Sequence, residues 1–179
     1  TAAQPRPSNK GTRMKKLFAF LALAAASMGT HADTPLVDAM TARWNTFIFI
    51  STQMPRQTVL ELAREASQAH AVIVLTGFGG PGNTLTSTQK FAADVNAVCC
   101  GKQPARWIID PNLTKRYGVT AAPTFVVGHG SSDNPGEYSK VSGEMSLAQA
   151  LKFFAQDSKL ISASDYAKRV YYAAYGDKY

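Results

Sequence analysis

The stretch Tyr117-Gly118-Val119-Thr120-Ala121-Ala122-Pro123-Thr124-Phe125-Val126-Val127 constrains the fold of this chain more than any other. Lys115 and Arg116 precede it, and a basic pair followed by Gly118 is how a short helix ends. Cations suit the negative helix terminus, and glycine takes the left-handed conformation at little cost. Thr124 to Val127 is an apolar, β-branched run and predicts a buried strand. Pro123 stands at the threshold of that strand. Proline cannot donate to a sheet ladder, so it belongs at a first strand position or in a tight turn. An X-Pro bond also tolerates the cis form at small cost.

Composition divides the rest of the chain. Residues 1–13 are polar, carry Pro5, Pro7 and Gly11, and show no periodicity; they read as an upstream extension outside the fold. Met14, Lys15 and Lys16 then precede an apolar run from Leu17 to Ala26, and Thr30-His31-Ala32 places small residues where a signal peptidase reads. Residues 14–32 are therefore expected to be a secretory signal peptide, cleaved after Ala32. The apolar run is too short for the ~20 residues that span a bilayer, so no stable membrane insertion is expected after cleavage. The leader also holds most of the excess charge. Residues 1–32 carry five Lys/Arg and no acid, which leaves 14 Lys/Arg against 12 Asp/Glu from Asp33 onward. A formal charge of +2 on the exported part gives no reason to expect a nucleic-acid partner.

Periodicity then predicts one α/β domain. Residues 33–45 read as a short lead-in helix or linker. Thr46–Ser51 predicts a strand, Pro55–Ala69 a helix with Val59, Leu62, Ala63 and Ala66 on one face, and Ala71–Leu75 a second strand. Gly77–Gly82 reads as a turn, Thr84–Val98 as a helix, Arg106–Ile109 as a strand and Pro111–Tyr117 as a short helix. Thr124–Val127 and Tyr138–Val141 are the last strands, joined by a turn-rich loop over His129–Gly136. Ser146 caps a final core helix with Leu147, Leu151 and Phe154. Strands that alternate with helices favour parallel pairing, and the last two are near enough for a hairpin, so a mixed sheet with helices on both faces follows over residues 46–156. Residues 157–179 are expected to form a C-terminal helical tail rich in tyrosine. Its stripe can pack back on the domain or present Tyr166, Tyr171, Tyr172 and Tyr175 to a partner.

Tyr-Gly-Val-x-x-x-Pro-Thr-Phe resembles the cis-proline segment of thioredoxin-like proteins. Ile109-Asp110-Pro111-Asn112-Leu113 upstream and Val141-Ser142-Gly143 downstream extend the likeness. With the Ser51-Thr52-Gln53-Met54-Pro55 turn, the chain from Phe47 to Phe154 resembles the TrbC family of thioredoxin-like, F-type conjugative pilus-assembly proteins. The resemblance implies a cis Ala122–Pro123 bond near the Gln53–Arg56 turn. It further implies a periplasmic assembly factor of a type IV secretion system, acting as a protein-binding scaffold with TraW as partner. Met54, Pro55 and Thr124 would then join the tyrosines as candidate partner contacts.

Thioredoxin-fold redox enzymes place a Cys-x-x-Cys pair at the start of the helix after the first strand, where the helix terminus stabilises a thiolate. Ser51-Thr52-Gln53-Met54 occupies that position, so no redox enzyme is expected there and no cofactor is called for. The only cysteines are the neighbours Cys99 and Cys100. A vicinal disulfide, a bond to a partner and two inert thiols are all compatible with the sequence, and a thiol-disulfide oxidoreductase or isomerase built on them is the alternative function. Two cysteines without a matching histidine make no zinc site. Gly77-Phe78-Gly79-Gly80-Pro81-Gly82 matches a dinucleotide glycine pattern, but Pro81 removes an N–H that phosphates would need, and Asn83 stands where a phosphate-binding lysine belongs. A plain strand-to-helix connection is the expected role.

Overall fold

A computed structural model describes residues 44–128 and 137–176, together with Thr1. The expected extension, the signal peptide, residues 33–43 of the lead-in segment and the His129–Gly136 loop lie outside the described residues. Five strands form one sheet: β1 (Asn45–Ile50), β2 (Val72–Leu75), β3 (Arg106–Ile109), β4 (Thr124–Gly128) and β5 (Tyr138–Ser142). Among the described residues five α-helices accompany them: α1 (Arg56–Gln68), α2 (Leu85–Cys99), α3 (Pro111–Arg116), α4 (Leu147–Asp157) and α5 (Ile161–Tyr175). A 3₁₀ turn over Pro81–Asn83 interrupts the glycine-rich connection. The lead-in ends sooner than expected, because Asn45 already pairs in β1 opposite Gly128.

The sheet order is β3-β2-β1-β4-β5. β1, β2 and β3 run parallel, while β4 is antiparallel to both β1 and β5. Side chains alternate across the sheet and split its core in two. Ile48, Ile50, Ile73, Leu75, Phe125 and Val127 face α1, α2, α4 and α5. Phe47, Phe49, Val72, Val74, Ile108 and Val126 face the other way, onto Leu113 of α3 and onto Tyr117. The expected mixed sheet with helices on both faces is therefore what forms, and it is unevenly loaded.

Local chemistry sets the helix ends. The Asp110 carboxylate accepts from the Asn112 and Leu113 amides (2.8 and 3.2 Å) and caps α3, while Thr84 and Ser146 close capping boxes on α2 and α4. Gly118 is left-handed at φ 54°, and Lys140 Nζ reaches across from β5 to donate to the Tyr117 and Gly118 carbonyls (2.8 Å each). A cation there answers the carbonyls that the helix leaves unpaired. The Ala122–Pro123 bond is cis.

Of the tail, Ile161–Tyr175 is a full helix packed into the core. Ala163 and Ala167 are fully buried and Tyr171 is 5% exposed. Ser164 Oγ donates to the Ala155 carbonyl (2.6 Å), and Gln68 Nε2 on α1 donates to the Ala174 carbonyl (2.7 Å).

Candidate functional site at the strand ends around Pro123

The pairing register gathers four connections at one end of the sheet. Ile50 lies beside Leu75, Phe49 beside Thr124, and Thr124 beside Ser142. The Ser51–Pro55 turn, the loop after β2, the Pro123 turn and the start of the β5–α4 connection must therefore be neighbours. Open α/β sheets bind ligands at this kind of edge.

The Ser51–Pro55 turn is held by its own atoms. Ser51 Oγ accepts from the Gln53 amide (3.2 Å), and the Met54 amide donates to the Ser51 carbonyl (3.2 Å). Pro55 precedes α1 with no side-chain cap on the helix and no acid in its first turn. Free N–H groups thus remain at a terminus that carries partial positive charge. Gln53, Pro55 and Arg56 are exposed, while Met54 is half-buried against the core. On the neighbouring loop Phe78 is 52% exposed. An open cleft of about 610 Å³ continues the face along α1 between Glu61, Glu65, Glu144 and Met145. Glu65 accepts from the Leu147 amide at the start of α4 (2.6 Å); burial raises its carboxyl above the usual range, that bond opposes the rise, and Glu61 adds to it.

Pro123 is buried, and its carbonyl accepts from the Gly143 amide (3.1 Å), which joins the two loops. Thr124, a candidate partner contact from the sequence, is fully buried. Its hydroxyl bonds the Ala121 carbonyl and Ser142 Oγ (2.7 Å each), so it shapes the loop and has no surface left for a partner. The tyrosines are not brought to this face. Tyr166 stacks on Trp44 at the opposite end of β1 (6.1 Å), Tyr171 is buried, and Tyr175 packs beside Tyr171 (5.2 Å). Burial, reinforced by Glu65 and Tyr171, raises the Tyr175 phenol above its usual range. Of the four, only Tyr172 is exposed. Helical spacing in sequence could not tell which side of α5 the core would take.

The glycine-rich connection is occupied internally. The Gly79 amide donates to Thr88 Oγ1 (2.9 Å), and Ser87 Oγ donates to the Gly79 carbonyl (2.5 Å). A Cβ on Gly79 would lie 2.3 Å from the Thr52 side chain, so this glycine is required by space, not by φ. Gly79→Ala is expected to destabilise the fold by about 1–3 kcal/mol, because the loop and the Thr52 turn must part to admit a methyl. Urea unfolding measures it, and an unchanged midpoint would show that the two loops are not in register.

Cys99 and Cys100 are joined as a vicinal disulfide at the C-terminal end of α2. They share no element with the Pro123 face. A helix C-terminus carries partial negative charge and disfavours a thiolate, the reverse of the helix start used by redox cysteines. Among the described residues no group of three His, Cys, Asp or Glu side chains could hold a metal ion. No described helix is long and apolar enough to cross a membrane.

A five-stranded mixed sheet, with a cis-proline at the mouth of β4 beside the start of α1, defines a thioredoxin-like domain. Here the thiol position holds Ser51-Thr52-Gln53-Met54. The family model for the type-F conjugative transfer system pilin assembly protein matches residues 48–154, and the chain belongs to that family. No curated protein matches the chain. Among solved structures it is similar to a secreted Mycobacterium tuberculosis disulfide oxidoreductase homologous to E. coli DsbE. That similarity has 15% identity and a TM-score of 0.39, and covers 73% of this chain and 82% of the other.

Proposed function

We propose that this protein is a periplasmic, non-enzymatic assembly factor of the F-type conjugative pilus and its type IV secretion system. It works as a scaffold that binds other transfer proteins, with TraW as the expected partner. One observation carries the reading: within a pilin-assembly family, the Pro123 loop stands next to a helix start that has no thiol. Without a nucleophile the face can hold a partner but cannot exchange a disulfide with it. Its exposed Pro55 and Phe78, with Met54 half-buried between surface and core, supply apolar contact area beside unpaired helix N–H groups.

A complementation test in a conjugative donor reads this directly. Deleting the gene is expected to abolish pili and mating, and the wild-type chain to restore both. The double variant Pro55→Asp/Phe78→Asp alters two exposed side chains and is expected to fold and be exported, yet to lose TraW in a pull-down and to fail in mating. Normal piliation of the deletion strain would end the assembly reading. Full rescue by the double variant would remove this face from it.

A further inference from the structure

The corner between α2 and β3 holds the chain's only two cysteines, and the assembly role makes no use of them. Cys99 ends α2 and Cys100 is its C-terminal cap; both are half-buried against the core layer shared with α1. The Cys100 amide still closes the helix on the Asn96 carbonyl (3.1 Å), and its own carbonyl accepts from the Gln103 amide (2.9 Å). One turn earlier the Asn96 side chain brackets the approach to β3. Its Oδ1 accepts from the Ala105 amide and from Trp107 Nε1, and its Nδ2 donates to the Ala105 carbonyl, each at 3.1 Å. The corner is tied to α1 as well. The Ser67 hydroxyl donates to the Gln103 carbonyl, and Cys100 Sγ lies 3.5 Å from the Ala63 carbonyl oxygen. The vicinal pair therefore sits where α1, α2 and the edge strand β3 meet.

We propose that Cys99–Cys100 is a reversible disulfide, opened by a protein dithiol, whose state sets how firmly the last turn of α2 holds α1 and β3. A thiolate of the dithiol attacks one sulfur. The Cys99–Cys100 bond breaks, a mixed disulfide forms, and the released sulfur takes up a proton. The second thiolate of the dithiol then attacks the mixed disulfide. The partner leaves as a disulfide, Cys99 and Cys100 are left as two thiols, and two electrons have passed to the pair. The surroundings suit both states. In the disulfide the Ala63 carbonyl meets a sulfur without hydrogen; in the dithiol a Cys100 S–H stands within reach of that oxygen. The pair sits at the end of a helix, not at the helix start where redox enzymes place their Cys-x-x-Cys, and it is therefore a two-position lock and not a turnover catalyst. It lies at the start of β3, the opposite end of the sheet from the Pro123 face, so it stands or falls independently of the docking role.

The test uses full-length protein purified without reductant. Maleimide labelling with intact-mass readout counts thiols before and after native treatment with dithiothreitol, and hydrogen exchange compares the two states. No free thiol is expected before and two after, with closure again in oxidised glutathione. Exchange over residues 100–107 is expected to rise severalfold on reduction, while residues 51–56 stay unchanged. Cys99→Ser/Cys100→Ser should copy the reduced pattern and ignore dithiothreitol; should that variant not fold, the two states of the wild-type chain give the same reading. Free thiols before reduction, opening only once the domain unfolds, or identical exchange in both states would each overturn the proposal.

Discussion

Tyr117→Ala is expected to cost about 3–5 kcal/mol, the range for removing a large buried aromatic ring. The ring is fully buried and lies 5.7 Å from Phe47, 6.2 Å from Phe49 and 4.9 Å from Tyr138. Among the described residues this face of the sheet has one short helix over it, and from α3 only Leu113 joins Tyr117 in the buried cluster. The described residues supply no second layer of helices to close the gap, so the cavity is expected to persist and the cost to fall at the upper end of the range. Against a total stability of about 5–15 kcal/mol, such a loss leaves a marginal domain. Urea unfolding should show a lower midpoint at unchanged slope. A loss below about 1 kcal/mol would mean that other groups fill this face.

Ending the chain after Asp157 is expected to do more damage than any single substitution. The family match stops at residue 154, before α5 begins, which would suggest a dispensable tail. The packing says otherwise. Removing α5 takes Ala163, Ala167 and Tyr171 out of the core cluster they share with Leu151, Phe154 and Ala155 of α4 and opens that cluster to water. Each large buried side chain returned to water costs about 1.5–3 kcal/mol, so the total is on the order of 5 kcal/mol or more. The truncated chain should be recovered mainly as aggregate, or as a species that binds a hydrophobic dye and lacks a cooperative urea transition. A soluble truncated chain with the full-length midpoint would show α5 to be a loose appendage.

The elements near Pro123 were legible because their signals are local. A proline before a β-branched run, a basic pair before Gly118 and an aspartate before Pro111 each act through neighbours in sequence, and each stands where it was expected. The missing thiol at Ser51–Met54 was legible for the same reason, since an absent residue type needs no geometry. Thr124 admits two readings in sequence, as the first residue of a buried strand and as a candidate partner contact; the position of β4 between β1 and β5 decides for the first and gives its hydroxyl to Ala121 and Ser142.

By itself the sequence determined the order and kind of the elements, the proline turn and the lack of a redox pair at the helix start, all consequences of propensity, periodicity and residue chemistry within a few positions. Only the tertiary structure decided which tyrosines of α5 face inward, that Gly79 must be bare to pass Thr52, that Glu65 meets the start of α4, and that Asn96 holds the start of β3. Those contacts join residues brought together by the closing of the sheet and the docking of helices on it. Whether a side chain is buried or exposed is a property of what packs over it, and no local pattern carries that information.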